Sequence, residues 1–159
     1  MTETKQDAPN REFALQRVYV KDVSFETPKT PGIFQQEWKP DTKVNLNTEV
    51  QTLGEGVYEV CLTVTVTTTL GEDTAYLAEA KQAGIFTING FNDQERGPLL
   101  GAYCPSQLFP YVREVLSDLI MKGSFPQMVL QPVNFDALYA QHQQQVAQQQ
   151  AESASEAKH

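Results

Sequence analysis

The chain has 159 residues, enough for one domain with a sizeable core, and its 20% charged and 40% hydrophobic content suits an ordinary globular protein. A formal net charge of -8 without any cluster of Lys and Arg argues against nucleic-acid binding, since phosphate contacts need concentrated positive charge. No apolar run is long enough to cross a bilayer, and the start, Met1-Thr-Glu-Thr-Lys-Gln-Asp, lacks the pattern of a secretory signal, so no direct membrane insertion is expected.

Residues 1–12 are polar and are expected to be disordered. From Phe13 to Phe25 the chain alternates loosely and predicts a first strand. Both of its faces carry apolar residues, and simple alternation puts Asp22 and Glu26 on the same face as Val18 and Val20. Thr27-Pro-Lys-Thr-Pro-Gly32 ends it, and an apolar connection through Ile33, Phe34 and Trp38 follows. Val44, Leu46 and Val50, with Asn45, Asn47 and Glu49 between them, predict a second strand, which turns at Gly54-Glu55-Gly56.

The strongest signal is a long hairpin from Val57 to Ile88. Tyr58, Val60, Leu62, Val64 and Val66 alternate with Glu59, Thr63, Thr65 and Thr67, the mark of a strand with one dry face. Gly71-Glu72-Asp73 is the turn. In the second arm Leu77, Glu79 and Lys81 share one face, and Tyr76, Ala78, Ala80 and Gln82 the other. The small Ala78 and Ala80 let another layer come close, either a helix of the same chain or a second subunit.

A polar stretch to Gly97-Pro98 separates the hairpin from a helix expected to begin near Pro105 or Ser106. Leu108, Phe109, Val112, Val115, Leu116, Leu119 and Ile120 form its apolar stripe, and Gly123 ends it. The next connection, through Phe125, Met128, Val129 and Leu130, is apolar for a loop. Asn134 caps a second helix, with Asp136 in its first turn and Val133 and Leu138 spaced as a hydrophobic staple. Its apolar stripe, Phe135, Leu138 and Tyr139, fades after His142, and seven of the ten residues from Gln141 to Gln150 are Gln. Residues 151–159 are expected to be a disordered tail. The fold class predicted is α+β: a four-stranded antiparallel sheet with a long helix and a second, C-terminal helix packed on one face.

Nothing in the sequence points to an enzyme. Cys61 and Cys104 lack metal-ligand spacing and read as buried free thiols of a reducing cytosol. A Cys104–His142 pair comes with no orienting third group and no oxyanion motif. The informative surplus is apolar: Phe34, Trp38, Phe125, Met128, Val129 and Leu130 all lie outside the regular elements. An exposed apolar groove explains them, and so does burial in an oligomer interface.

Arg17-Val-Tyr-Val-Lys-Asp-Val-Ser-Phe-Glu26, Leu70-Gly-Glu-Asp-Thr74, Gly84-Ile-Phe86, Leu100-Gly-Ala-Tyr-Cys-Pro105, Leu108-Phe-Pro-Tyr-Val-Arg113 and Pro132-Val-Asn-Phe-Asp-Ala-Leu138, in this order and spacing, resemble the SecB family. These are cytosolic bacterial chaperones of protein export. The resemblance implies a chaperone domain over residues 13–150, a homotetramer built as a dimer of dimers, and a cytoplasmic location. It implies that the chain holds unfolded precursor proteins and delivers them to the motor SecA without nucleotide or metal. Carried over by position, it places the client groove at Trp38, Val44, Leu46, Tyr76, Phe125, Phe135 and Tyr139. It places SecA docking at Asp22, Glu26, Leu77 and Glu79, and tetramer assembly at Ala78, Ala80 and Gln82. The chain departs from the family pattern at Ala78, often Cys, and in its Gln-rich tail, where an acidic one is expected. Two rival readings remain: a SecB-like chaperone of a toxin–antitoxin system, and a structural or small-ligand-binding α+β domain.

Overall fold

A computed structural model describes residues 10–158. Four strands, β1 (Glu12–Glu26), β2 (Asp41–Gly54), β3 (Val57–Leu70) and β4 (Asp73–Asn89), form one antiparallel sheet in the order β1-β4-β3-β2. The β3–β4 turn is tighter than the sequence suggests. Leu70 pairs with Asp73, so only Gly71 and Glu72 lie between, and Gly71 supplies the positive φ of 60° that such a hairpin needs at its first central position.

The dry face of the sheet carries Val60, Leu62, Val64 and Val66 from β3 and Ala78, Ala80 and Phe86 from β4. A helical layer closes it. α1 (Asp93–Pro98) passes through a wide π turn (Leu99–Tyr103) into α2 (Cys104–Lys122), whose Leu108, Val112, Leu116 and Ile120 are fully buried on the sheet. The helix approaches closely at Gly84, where an added Cβ would fall 2.9 Å from a Leu108 methyl. The helical run thus begins about a dozen residues before the expected start near Pro105. Gly97, Pro98, Gly101 and Pro105 read as breakers, but Asn92 caps the first turn by accepting from the Glu95 amide. The prolines are accommodated by widening: the Cys104 amide bonds to the Leu99 carbonyl, one residue further back than in an α-helix.

β1 corrects a second expectation. It bulges between Leu15 and Arg17 and between Val20 and Asp22. Each bulge shifts the alternation by one residue. Phe13, Leu15, Val18, Val20, Val23 and Phe25 therefore all pair opposite core-facing positions of β4. Asp22 and Glu26, expected beside Val18 and Val20, project from the opposite face.

The 14-residue link from β1 to β2 carries Ile33 into the core and includes a short 3-10 turn at Gly32–Gln35. Gly123 caps α2 as expected. The left-handed residue, however, is Ser124 at φ 64°, and Gly123 is small because the Phe25 ring lies where its Cβ would be. The last helix, α3 (Phe135–Glu156), is capped by Asn134 accepting from the Ala137 amide. It continues to Glu156, so residues 151–156 are helical where a disordered tail was expected. Residues 1–9 and 159 lie outside the described residues; of the expected N-terminal tail, Arg11 pairs with Glu95 at 2.9 Å and stacks over Phe91.

Candidate functional site

The apolar surplus collects at one end of the helix-covered face. Phe125, from the connection after α2, stacks against Phe34 at 5.3 Å, Trp38 at 5.9 Å and Tyr76 at 5.0 Å between ring centroids. Phe25 extends the cluster from Tyr76. The Tyr76 hydroxyl meets the Met128 sulfur at 4.0 Å, and Ser117 fixes that connection by donating to the Met128 carbonyl at 3.0 Å.

Beyond Met128 lie two open clefts. One, of about 370 Å³, runs between Val44 and Leu46 on β2 and the Met128–Val133 segment, with Phe109 at its base. The other, of about 630 Å³, lies between Leu46 and Val50 on β2 and Phe135, Leu138 and Tyr139 on α3. Leu46 lines both, so cluster and clefts form one arc, apolar at the cluster and the smaller cleft and mixed along the larger, where Asn47, Thr48, Gln141, His142, Gln143 and Gln145 join the lining. Among the described residues, no Asp, Glu, Lys or Arg lines either cleft. An apolar partner placed there would be held by removal of apolar surface from water, which is non-directional.

The seven groove candidates divide within this arc. Val44 is exposed, and Trp38, Leu46 and Tyr139 are half-buried, so these four are accessible. Tyr76, Phe125 and Phe135 are 1%, 6% and 7% exposed and form the floor, inside the core. Sequence reasoning misses Phe109, Val50 and Leu138 as lining residues. Phe109 reads there as core stripe, and only the placement of α3 and the 128–133 segment turns its edge to a cleft.

Among the described residues, no helix covers the other face of the sheet. Register sets Glu26 opposite Leu77, Ser24 opposite Glu79 and Asp22 opposite Lys81. The exposed Leu77 therefore has Glu26 across from it and Glu79 two residues along its own strand, while Asp22 lies further along the same face, opposite Lys81. Thr65 donates to Glu79 at 2.7 Å and orients it. Further along this face Glu59 accepts from Tyr19 and, at 2.8 Å, from Lys21. Those two hydrogen bonds, from Lys21 first and Tyr19 second, hold Glu59 below its ordinary 4.5. Burial, then the Glu59 bond, pushes Tyr19 up to about 12.

A carboxylate with a lowered folded-state pKa stabilises the fold above its unfolded value, and that contribution disappears as pH falls through the lowered value. Glu59→Gln should thus lower the urea midpoint at neutral pH. The gap to the parent chain should close in acid, as paired denaturation curves across pH would show.

The residues that the resemblance links to tetramer assembly lie inside the single chain. Ala78 and Ala80 are fully buried and Gln82 is 2% exposed within a single chain. They lie beneath α2 and offer no surface to a second subunit; of the two layers their small size could admit, it is the chain's own helix. The Gln82 side-chain oxygen has no hydrogen-bond partner among the described residues.

Comparison with known proteins follows this geometry. Residues 5–146 match the family model described as preprotein translocase subunit SecB. The chain is 59% identical over 155 residues to the protein-export protein SecB of Methylococcus capsulatus, covering 98% of this chain and 99% of that one. It is 59% identical over 152 residues to that of Alcanivorax borkumensis, covering 94% and 95%. Among solved structures it resembles a Mycobacterium tuberculosis SecB-like chaperone in complex with an antitoxin peptide. The TM-score is 0.64, over 76% of this chain and 90% of that one, and at 13% identity the likeness is one of fold.

Proposed function

The chain belongs to the SecB family of protein-export chaperones, and we propose on that premise that it holds unfolded precursor proteins in the arc described above. One observation carries the assignment: clefts free of fixed charge, continuous with an aromatic cluster, open beside an edge strand. Such a surface takes extended, unfolded chain and has no chemical step to perform. The fully buried Cys104 thiol, pushed up to about 12 by burial, is a poor nucleophile, in keeping with a non-enzymatic, ATP-independent holdase. The net charge of -8 favours basic client segments at long range.

The export reading includes hand-over to the motor SecA in the cytoplasm. Its support is the exposed Leu77 with Glu26 and Glu79 beside it and Asp22 further along, on the face of the sheet opposite the arc. A client and a motor held there would not compete for space. Among the described residues, no helix is long and apolar enough to cross a membrane. A homotetramer, arranged as a dimer of dimers, has support in two separate apolar surfaces. β1 is an open edge strand with Val20 and Val23 exposed, and α2 turns Tyr111 and Met121 outward. The antitoxin-chaperone reading has only a fold likeness behind it.

Trp38, the only tryptophan, tests the groove. Titration with a permanently unfolded client should shift its emission to the blue and saturate. Substoichiometric to equimolar chaperone should also suppress light scattering by an aggregating client. Trp38→Ala should weaken capture about five-fold, as loss of one aromatic contact implies, and leave the assembly intact by sedimentation. Emission that stays constant while a client demonstrably binds would place Trp38 in the core and the client elsewhere.

A further inference from the structure

Little holds α3 in place. Phe135 is its one buried residue, packed edge-on against Phe109 at 5.7 Å. The next fixed point is Tyr139, whose ring lies across two glycines. An added Cβ at Gly101 would fall 2.4 and 2.5 Å from ring carbons of Tyr139, and one at Gly97 would fall 2.7 Å from its hydroxyl oxygen. Any side chain at Gly101 would displace that ring.

Neither glycine has the positive φ that would demand glycine for the backbone. Each is a poorer helix former than alanine. They stand four residues apart, on successive turns, where α1 runs into the wide π turn after Pro98. Gly97, Gly101 and Tyr139 all line the 630 Å³ cleft, together with Leu46 and Val50 of β2 across from them. Where Tyr139 sits therefore decides how far α3 stands from β2.

We propose that Gly97 and Gly101 are positioning residues: they form a seat for the Tyr139 ring that sets the angle of α3 and the width of the cleft taking bulky apolar client segments. The assignment of clients to this cleft is the reading given above, on which the seat's role in capture rests. Filling the seat pushes α3 outward and leaves the cleft with one wall, so capture weakens while the fold persists. Alanine at either position is a better helix former than glycine, which offsets part of the packing lost when the ring moves.

The test uses the full chain with spin labels at Glu49→Cys on β2 and Gln149→Cys on α3, diluted with unlabelled chain, and an anisotropy titration with a fluorescent unfolded client. Gly101→Ala should lengthen or broaden the α3–β2 distance and weaken client binding about five-fold or more, with a cooperative unfolding transition retained. Tyr139→Phe keeps the ring that fills the seat, so the α3–β2 distance should stay at the parent value, and a changed distance would overturn the ring as the fixed point. An unchanged distance in Gly101→Ala overturns the seat, and so does a displaced α3 with unchanged client affinity. If the parent chain binds no unfolded client, the groove reading fails on its own, and the distance measurement still judges the seat.

Discussion

Ala80→Arg is expected to unfold the helix–sheet layer, not merely to separate subunits. Ala80 is fully buried beneath α2, opposite Val64 on one side and Val23 on the other. An arginine there must either bury its charge without a partner, at several kcal/mol, or pry α2 from the sheet. Overpacking adds about 1–3 kcal/mol. Against a total stability of about 5–15 kcal/mol, the sum removes most or all of the folded population. Denaturation curves should show a collapsed midpoint, and sedimentation should show aggregated or unfolded material. A well-folded, smaller oligomer with a near-parent midpoint would instead make this face a contact between subunits.

The second large effect is expected on the open face. Reversing charge with Glu79→Lys and Asp22→Lys together should weaken binding of SecA at low salt by about 10- to 100-fold, equivalent to about 1.4–2.8 kcal/mol. In the parent chain, affinity should fall as salt rises, because screening acts on exposed charges. Client capture should stay within about two-fold, since the arc lies across the sheet from these residues. Asp22 is exposed and Glu79 half-buried, so the melting temperature should fall only by what loss of the Thr65–Glu79 hydrogen bond costs. Unchanged SecA affinity at low salt would dismiss the docking assignment and revive the antitoxin reading.

Much of this was legible in the chain, for identifiable reasons. β3 and the middle of β4 keep strict period-two alternation, so their faces, and hence the position of Leu77 and Glu79 against Ala78 and Ala80, followed directly. β1 did not, because its two bulges shift the phase, and a strand whose apolar residues fall at odd, even and again odd positions looks two-sided. The start of the helical layer was hidden by Gly97, Pro98, Gly101 and Pro105. The overlooked signal was Asn92 followed three residues later by Glu95, a good N-terminal pair. α3 outran its apolar stripe because Gln, Ala and Glu favour helix without needing a partner surface. For the groove, composition showed that apolar residues were in excess. It could not show that Tyr76, Phe125 and Phe135 would be spent on the floor while Val44 and Leu46 stayed open, because that depends on which long-range segments meet.

The bulges in β1 also decide where the chain can change length. At the second bulge Lys21 is the extra residue between Val20, which pairs with Gln82, and Asp22, which pairs with Lys81. Deleting Lys21 would remove the irregularity and still leave Val20 facing inward and Asp22 outward, at the cost of the Lys21–Glu59 ion pair. The stretch of β4 from Leu77 to Gln82 has no such slack. Losing one residue there would slide every later side chain to the other side of the sheet, turning Lys81 toward α2 and Gln82 toward solvent. Insertions and deletions should therefore accumulate at the sheet's outer strand and be purged from its centre, whatever the clients of the protein.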